Sequence, residues 1–183
     1  MIRSNKKRLV VDACVACSMG ERNQNGKFCR DFMDAFRFKT ENFVVMTEAI
    51  NSEWKKHARH KFSSDWLCSM HARRRVVKIN EPSNNELLRS EIISLSDSAE
   101  HIDAMIKDVI LLEAALLTDR TIISIDKIAR RLFSGTCERI GCIRDVVWVN
   151  PCTSEESAVT WLVNGAKNER ERQLCNYTSG ALE

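Results

Sequence analysis

Glycine and proline are scarce, six and two in 183 residues, about a third of the share an average domain carries. The many tight turns of a sandwich or barrel have few residues to make them, which argues against an all-β fold. Also lacking is any run of about 18 apolar residues, the least that spans a bilayer as a helix, and 29% of the chain is charged. The basic start IRSNKKRLVV turns acidic at Asp12 before an apolar stretch of signal-peptide length develops. A soluble cytoplasmic protein with no membrane partner is therefore expected. With no secretory signal, the eight cysteines read as reduced, partly buried thiols and not as a disulfide framework. What the sequence does have is 44% hydrophobic residues, enough for one core at a length that suits one domain.

The apolar residues alternate between two periods. RLVVD over 8–12 is a β-branched run closed by a carboxylate. FVVM over 43–46 predicts a second strand, RVVKI over 75–79 a weaker one stopped by Asn80-Glu81-Pro82, and TIISI over 121–125 and DVVWV over 145–149 two more. Between them, 25–39 places Phe28, Phe32, Met33, Ala35 and Phe36 at helical spacing. Thr47 stands as N-cap of a long helix carrying Glu48, Glu53 and the basic residues that follow. A short helix is expected over 84–94. Another runs from near Ser98 to Thr118, with a second half, DVILLEAALL, apolar on nearly all sides and so buried. DKIARRLF continues as a helix. Strands separated by helices predict an α/β fold, a parallel sheet covered on both faces. Residues 1–150 are expected to form the domain, with a helix at 155–163 and a polar tail, within 151–183, packed on it or extending from it.

The net charge of +3 is too small to mark a nucleic-acid binder, but its distribution is uneven. Over 55–75, Lys55, Lys56, Arg59, Lys61, Arg73, Arg74 and Arg75 stand against Asp65 alone. A track of phosphate contacts and a solvated helix face are the two readings.

In parallel sheets chemistry gathers at the carboxyl ends of the strands, and two acids stand there: Asp12 after VV and Asp126 after TIISI. Asp108 opens the apolar helical stretch. From there to Thr118 the chain descends roughly 15 Å at 1.5 Å per residue, and the strand over 121–125 climbs back roughly 17 Å at 3.3 Å per residue. Asp126 thus returns to the level of Asp108. Glu53, with Glu48 as its rival, stays near the same edge in the helix after the second strand. Carboxylates crowded together need a cation or raised pKa values, and hard oxygen ligands suit Mg2+ or Mn2+. The bland alternatives are an N-cap for Asp126, a solvated helix start for Asp108 and a favourable helix terminus for Glu48. Asp103 and Glu113 are weaker candidates, the latter able to pair simply with a base.

The blocks RLVVDACV, VVMTEAINSEW, KDVILLEAALL and TIISID, in that order, resemble the PIN-domain nucleases, over about residues 8–149. The resemblance implies a three-layer α/β/α sandwich with a central, mainly parallel sheet. It selects Glu53 over Glu48 as the family glutamate and gives Ser124 a supporting hydroxyl position. It further implies that Asp12, Glu53, Asp108 and Asp126 hold one or two Mg2+ or Mn2+ ions for endonucleolytic hydrolysis of single-stranded RNA, leaving 5′-phosphate and 3′-hydroxyl ends. Lys55, Lys56, Arg59, Arg73, Arg74 and Arg75 would guide the RNA. A toxin-type role would add an antitoxin protein as partner, and a homodimer is a further expectation. Cys14 departs from the Ser, Asn or Thr commoner two residues after the first Asp, and Lys127-Ile128-Ala129 lacks the acidic and aromatic residues often found after the last.

Other chemistries compete. Cys14 and Cys17 form CVAC after a strand, where a thiol–disulfide oxidoreductase would place its pair, though without the Trp and Pro of that loop. Cys14, Cys17, Cys137 and Cys142 have zinc-like spacing within each pair. His57 and His60 lie three apart on the basic helix. A haloacid-dehalogenase-like phosphatase needs a second Asp where Cys14 stands. A catalytically degenerate PIN-like module that binds RNA or protein is the non-enzymatic reading.

Overall fold

The computed structural model describes residues 6–57, 59–79, 84–95 and 98–177. The stop at Asn80-Glu81-Pro82 and the tail 178–183 lie outside the described residues. Strands β1 (Arg8–Val11), β2 (Phe43–Thr47), β3 (Val76–Ile79), β4 (Thr121–Ile123) and β5 (Val147–Val149) form one parallel sheet in the order β3-β2-β1-β4-β5. Helices α1 (Ala13–Ser18), α2 (Gln24–Lys39), α3 (Glu48–His57), α4 (Lys61–Ala72), α5 (Glu86–Leu95), α6 (Ala99–Leu116), α7 (Lys127–Thr136) and α8 (Ala158–Val163) flank it. The result is the three-layer α/β/α sandwich expected from the sequence. Among the described residues no helix is long and apolar enough to cross a membrane.

The central strands are apolar without alternation because both their faces are covered: Leu9, Val10, Val11, Val44, Val45, Ile122 and Ile123 have no exposed surface. α6 packs along β1, β2 and β4 and buries Val109, Leu111, Leu112 and Ala114. β3, at the edge, is half-buried and leaves Lys78 exposed, a charge that blunts an open edge and that weakens its sequence signal. The segment after β5 returns to the same core. α8 lies against α2, Gln173 bridges to Val147, and Trp161, Leu162 and Leu174 join the one hydrophobic cluster.

The structure departs from the sequence expectations in several places. α1 was not anticipated: its six residues are too few to show a period, and Asp12 caps it by accepting the Cys14 N–H at 3.1 Å. The single long helix expected after β2 is two. Thr47 does cap α3, taking the Ile50 N–H at 3.1 Å, but α3 ends at His57, and His60 adopts extended backbone ahead of α4. His57 and His60 therefore do not share a helix face. Lastly, not all cysteines are free thiols, because the returning C-terminal segment brings Cys175 to Cys137 at a Cα–Cα distance of 5.5 Å and the two form a disulfide, well within the range such a bond spans.

The helix break also divides the basic segment. α4 runs back across the molecule, so Arg73, Arg74 and Arg75 lie just before β3, at the amino edge of the sheet and away from the acids at its carboxyl edge. Arg75 is 5% exposed, and its guanidinium donates to the carbonyls of Phe36 at 2.7 Å, Arg37 at 2.9 Å and Asn42 at 2.7 Å. These are carbonyls at and beyond the end of α2, which the helix itself leaves without donors. Arg75 is thus a structural pin between α2 and β3, and the expectation that it contacts RNA is corrected. Arg75→Met should lower the unfolding free energy by about 3 kcal/mol, since buried acceptors lose their donors. Arg73→Met, at an exposed position, should change it by less than about 0.5 kcal/mol. Urea unfolding of the two variants checks the contrast.

Candidate active site

The register of the sheet builds the site. β1 pairs with β4 through Val11 and Ile123, and the ladder runs one step further, the Asp12 N–H donating to the Ile123 carbonyl at 2.9 Å. Asp12 and Ser124 therefore emerge side by side, and the Ser124 hydroxyl donates to Asp12 Oδ2 at 2.7 Å. The Ser124 Oγ in turn accepts the Asp126 N–H at 3.1 Å, bending the chain so that Asp126 caps α7 by accepting the Ala129 N–H on Oδ1 at 2.8 Å. Between β1 and β4 the strand order reverses, and a sheet of this kind opens its ligand crevice at that point.

Two more acids close on the crevice. The indole of Trp54 donates to the Val11 carbonyl at 2.9 Å, which holds α3 against the end of β1 and sets the neighbouring Glu53 at the rim. α6 supplies Asp108. Asp12, Glu53, Asp108 and Asp126 all line one cavity of about 240 Å³, together with Cys14 and Lys107. Glu53 is held by Lys56 at 2.8 Å and His57 at 3.3 Å. The Lys56 hydrogen bond leads the causes that lower its pKa, with the charges of Lys56, His57 and Lys107 adding to it.

Asp108 is different. Its carboxylate accepts no hydrogen bond from any described residue, and its pKa is raised to about 6, first by burial and then by the charges of Asp12, Asp126 and Glu53, against the opposing charge of Lys107. An acid felt by three others, with one lysine charge and no hydrogen bond to favour its ionised form, belongs to a cluster short of positive charge. The donors are hard oxygens, the type that magnesium and manganese take. Among the described residues, no three His, Cys, Asp or Glu side chains stand in an arrangement that could hold a metal ion. The chemistry of the set fits such an ion, whereas its closed coordination sphere is not formed.

Other sequence candidates fall elsewhere. Glu48 is exposed and lines a separate cavity with Asn51, His71 and Lys78. Glu113 is buried and forms a two-pronged pair with Arg89, both contacts at 2.7 Å, so it has the structural role left open for it. Asp103 is exposed and is not among the residues lining the acidic cavity. The disulfide of Cys137 removes it from the proposed zinc tetrad. The Cys14 thiol donates to Asp12 Oδ2 at 2.8 Å, and burial together with the Asp12 charge pushes its pKa well up. That is the reverse of an activated thiol. Sequence reasoning missed His57 and Lys107 as cavity residues, though their positions, four after Glu53 and one before Asp108, were a usable signal.

Comparison with known proteins finds no match for this chain among protein-family models, curated proteins or solved structures.

The Asp108 carboxyl binds its proton more tightly folded than unfolded. In chelator its contribution to stability is therefore lost as pH rises through about 6 and recovered as pH falls towards the ordinary carboxylate range. Asp108→Asn should raise the Tm of the metal-free protein at pH 7.5, and the gain should shrink at pH 5. Thermal melts at the two pH values test this; a lower Tm at pH 7.5, or an equal gain at both, contradicts it.

Proposed function

We propose that this chain is a PIN-like, divalent-metal-dependent endoribonuclease acting on single-stranded RNA. The observation that carries the reading is that four carboxylates from four separate elements line the crevice between β1 and β4, one of them without a hydrogen-bond donor among the described residues. A bound Mg2+ or Mn2+ ion would neutralise that cluster, activate water and polarise a phosphodiester.

The protein's own groups prepare the site for this. Ser124 and the Cys14 thiol fix Asp12, and the Ala129 N–H fixes Asp126 while using only one of its oxygens. The capping roles of Asp12 and Asp126 and their place in the cluster are thus compatible. Of the basic residues, Lys55 and Lys56 lie on α3, the helix that carries Glu53, and Arg59 lies just beyond its end, with Lys56 already bound to Glu53 and the Arg59 Nε donating to the Lys56 carbonyl at 2.8 Å. These three are better placed than Arg73 and Arg74 to meet a phosphate backbone there. The raised Cys14 pKa and its bond to Asp12 weigh against a dithiol oxidoreductase.

Asp126→Asn keeps a cap and removes a charge. Wild-type protein should cleave single-stranded RNA in manganese and not in chelator, and the variant should lose activity while melting as wild type does. The loss should exceed the about 10–100-fold typical when a group that merely supports a metal ligand is changed. Activity that survives chelation, or a variant as active as wild type, overturns the nuclease reading. RNA binding without cleavage in manganese favours the degenerate binding module.

A further inference from the structure

Beside the acidic cavity lies a second, of about 200 Å³ and of opposite character, between α7, the end of β5 and the turn over 153–156. Asp126 is a wall of both. Lys127, Arg130 and Arg131 line the second cavity against Asp126 and Glu156. Glu156 is already matched, by Arg130 and by Arg172 at 3.4 Å. Lys127 and Arg131 have no ion pair among the described residues, so this cavity keeps an excess of positive charge.

An independent observation comes from its buried wall. Trp148 is fully buried and lines the cavity, and its indole Nε1 has no acceptor among the described residues. Arg130, 5% exposed, likewise has no acceptor for its Nε. Its guanidinium is held by Glu156 and by the ring of Tyr177, 4.1 Å from Cζ to centroid. Buried donors in folded proteins nearly always find acceptors, and two residues that line one cation-rich cavity and each keep a donor without an acceptor call for a compact anion with several oxygens. A phosphate group has that chemistry, and it receives charge-assisted hydrogen bonds from guanidinium and ammonium groups. The volume suffices, one water's share of the liquid being about 30 Å³.

We infer that this cavity is a phosphate-binding subsite that engages an RNA phosphate neighbouring the one presented to the acidic cavity. The assignment to RNA rests on the nuclease reading; the phosphate chemistry stands on the two orphaned donors and the unpaired cations. Sharing Asp126 as a wall, the two cavities would hold successive phosphates of one strand on either side of that residue.

The test uses the whole chain in chelator, where the acidic cavity repels anions and binding reports on its neighbour. The probes are uridine 5′-monophosphate, the dinucleotide UpU and uridine, with the indole N–H resonances of the four tryptophans followed by NMR. Uridine 5′-monophosphate or UpU should shift the Trp148 resonance saturably, and uridine should not. Lys127→Met with Arg131→Met should weaken binding about tenfold or more. Trp148→Phe, which assigns the resonance and removes one hydrogen bond, should weaken it about fivefold. Should Trp148→Phe fold poorly, the Lys127 and Arg131 variant, changed at charged residues outside the core, decides alone. UpU binding as well as the monophosphate identifies a bridging phosphate, and a preference for the monophosphate identifies a chain end; either upholds the subsite. No saturable shift at millimolar ligand, equal shifts by uridine, or affinity unchanged in the charge variant overturns it. Protein that binds the monophosphate here yet cleaves no RNA keeps the subsite and loses the nuclease reading, whereas cleavage without this binding does the reverse.

Discussion

The pairing of β1 with β4 is the constraint on which the rest of the site depends. Val11 sits opposite Ile123, and that register alone puts Asp12 beside Ser124. A one-residue slip would turn every side chain of β4 to the other face of the sheet. It would also break the Ser124–Asp12 hydrogen bond and misplace the turn that makes Asp126 a cap. The register is secured by burial, since Val10, Val11, Ile122 and Ile123 have no exposed surface, and by Trp54, whose indole bond to the Val11 carbonyl ties α3 to the same strand end. Core packing and site geometry are set by the same few residues.

The electrostatics follow from that geometry. Four acids line one cavity where, among the described residues, Lys56, His57 and Lys107 oppose them, and Asp108 carries the imbalance as a raised pKa. On the far side of Asp126 the imbalance is reversed, with Lys127 and Arg131 unpaired and two buried donors unfilled among the described residues. A residue that caps a helix with one oxygen and separates an electron-rich cavity from an electron-poor one has two functions in one side chain. Its simplest sequence reading, an N-cap, is true and incomplete.

Much of this was legible from the chain. The run RLVV ending in Asp12 and the run TIISI followed by Asp126 announce buried parallel strands with acids at their ends, because strands covered on both faces show no alternation to confuse the reading. The spacing from Asp108 to Asp126 is a helix down and a strand back, so rise per residue was enough to bring them level. What was not legible depended on chain reversals. Nothing in KKHARHKF gives away the break at His57, and without it Arg75 reads as one more surface cation when it serves the carbonyls at the end of α2. The Cys137–Cys175 disulfide is likewise a consequence of how the C-terminal segment returns to β5, which no local pattern encodes.

The most direct test of the central claim is a manganese titration of the metal-free protein, counting free ion by electron paramagnetic resonance. The carboxylate cluster predicts saturable uptake of one or two ions per chain, lost or greatly weakened in Asp12→Asn. No saturable uptake by the wild type, or uptake that Asp12→Asn leaves unchanged, would contradict it.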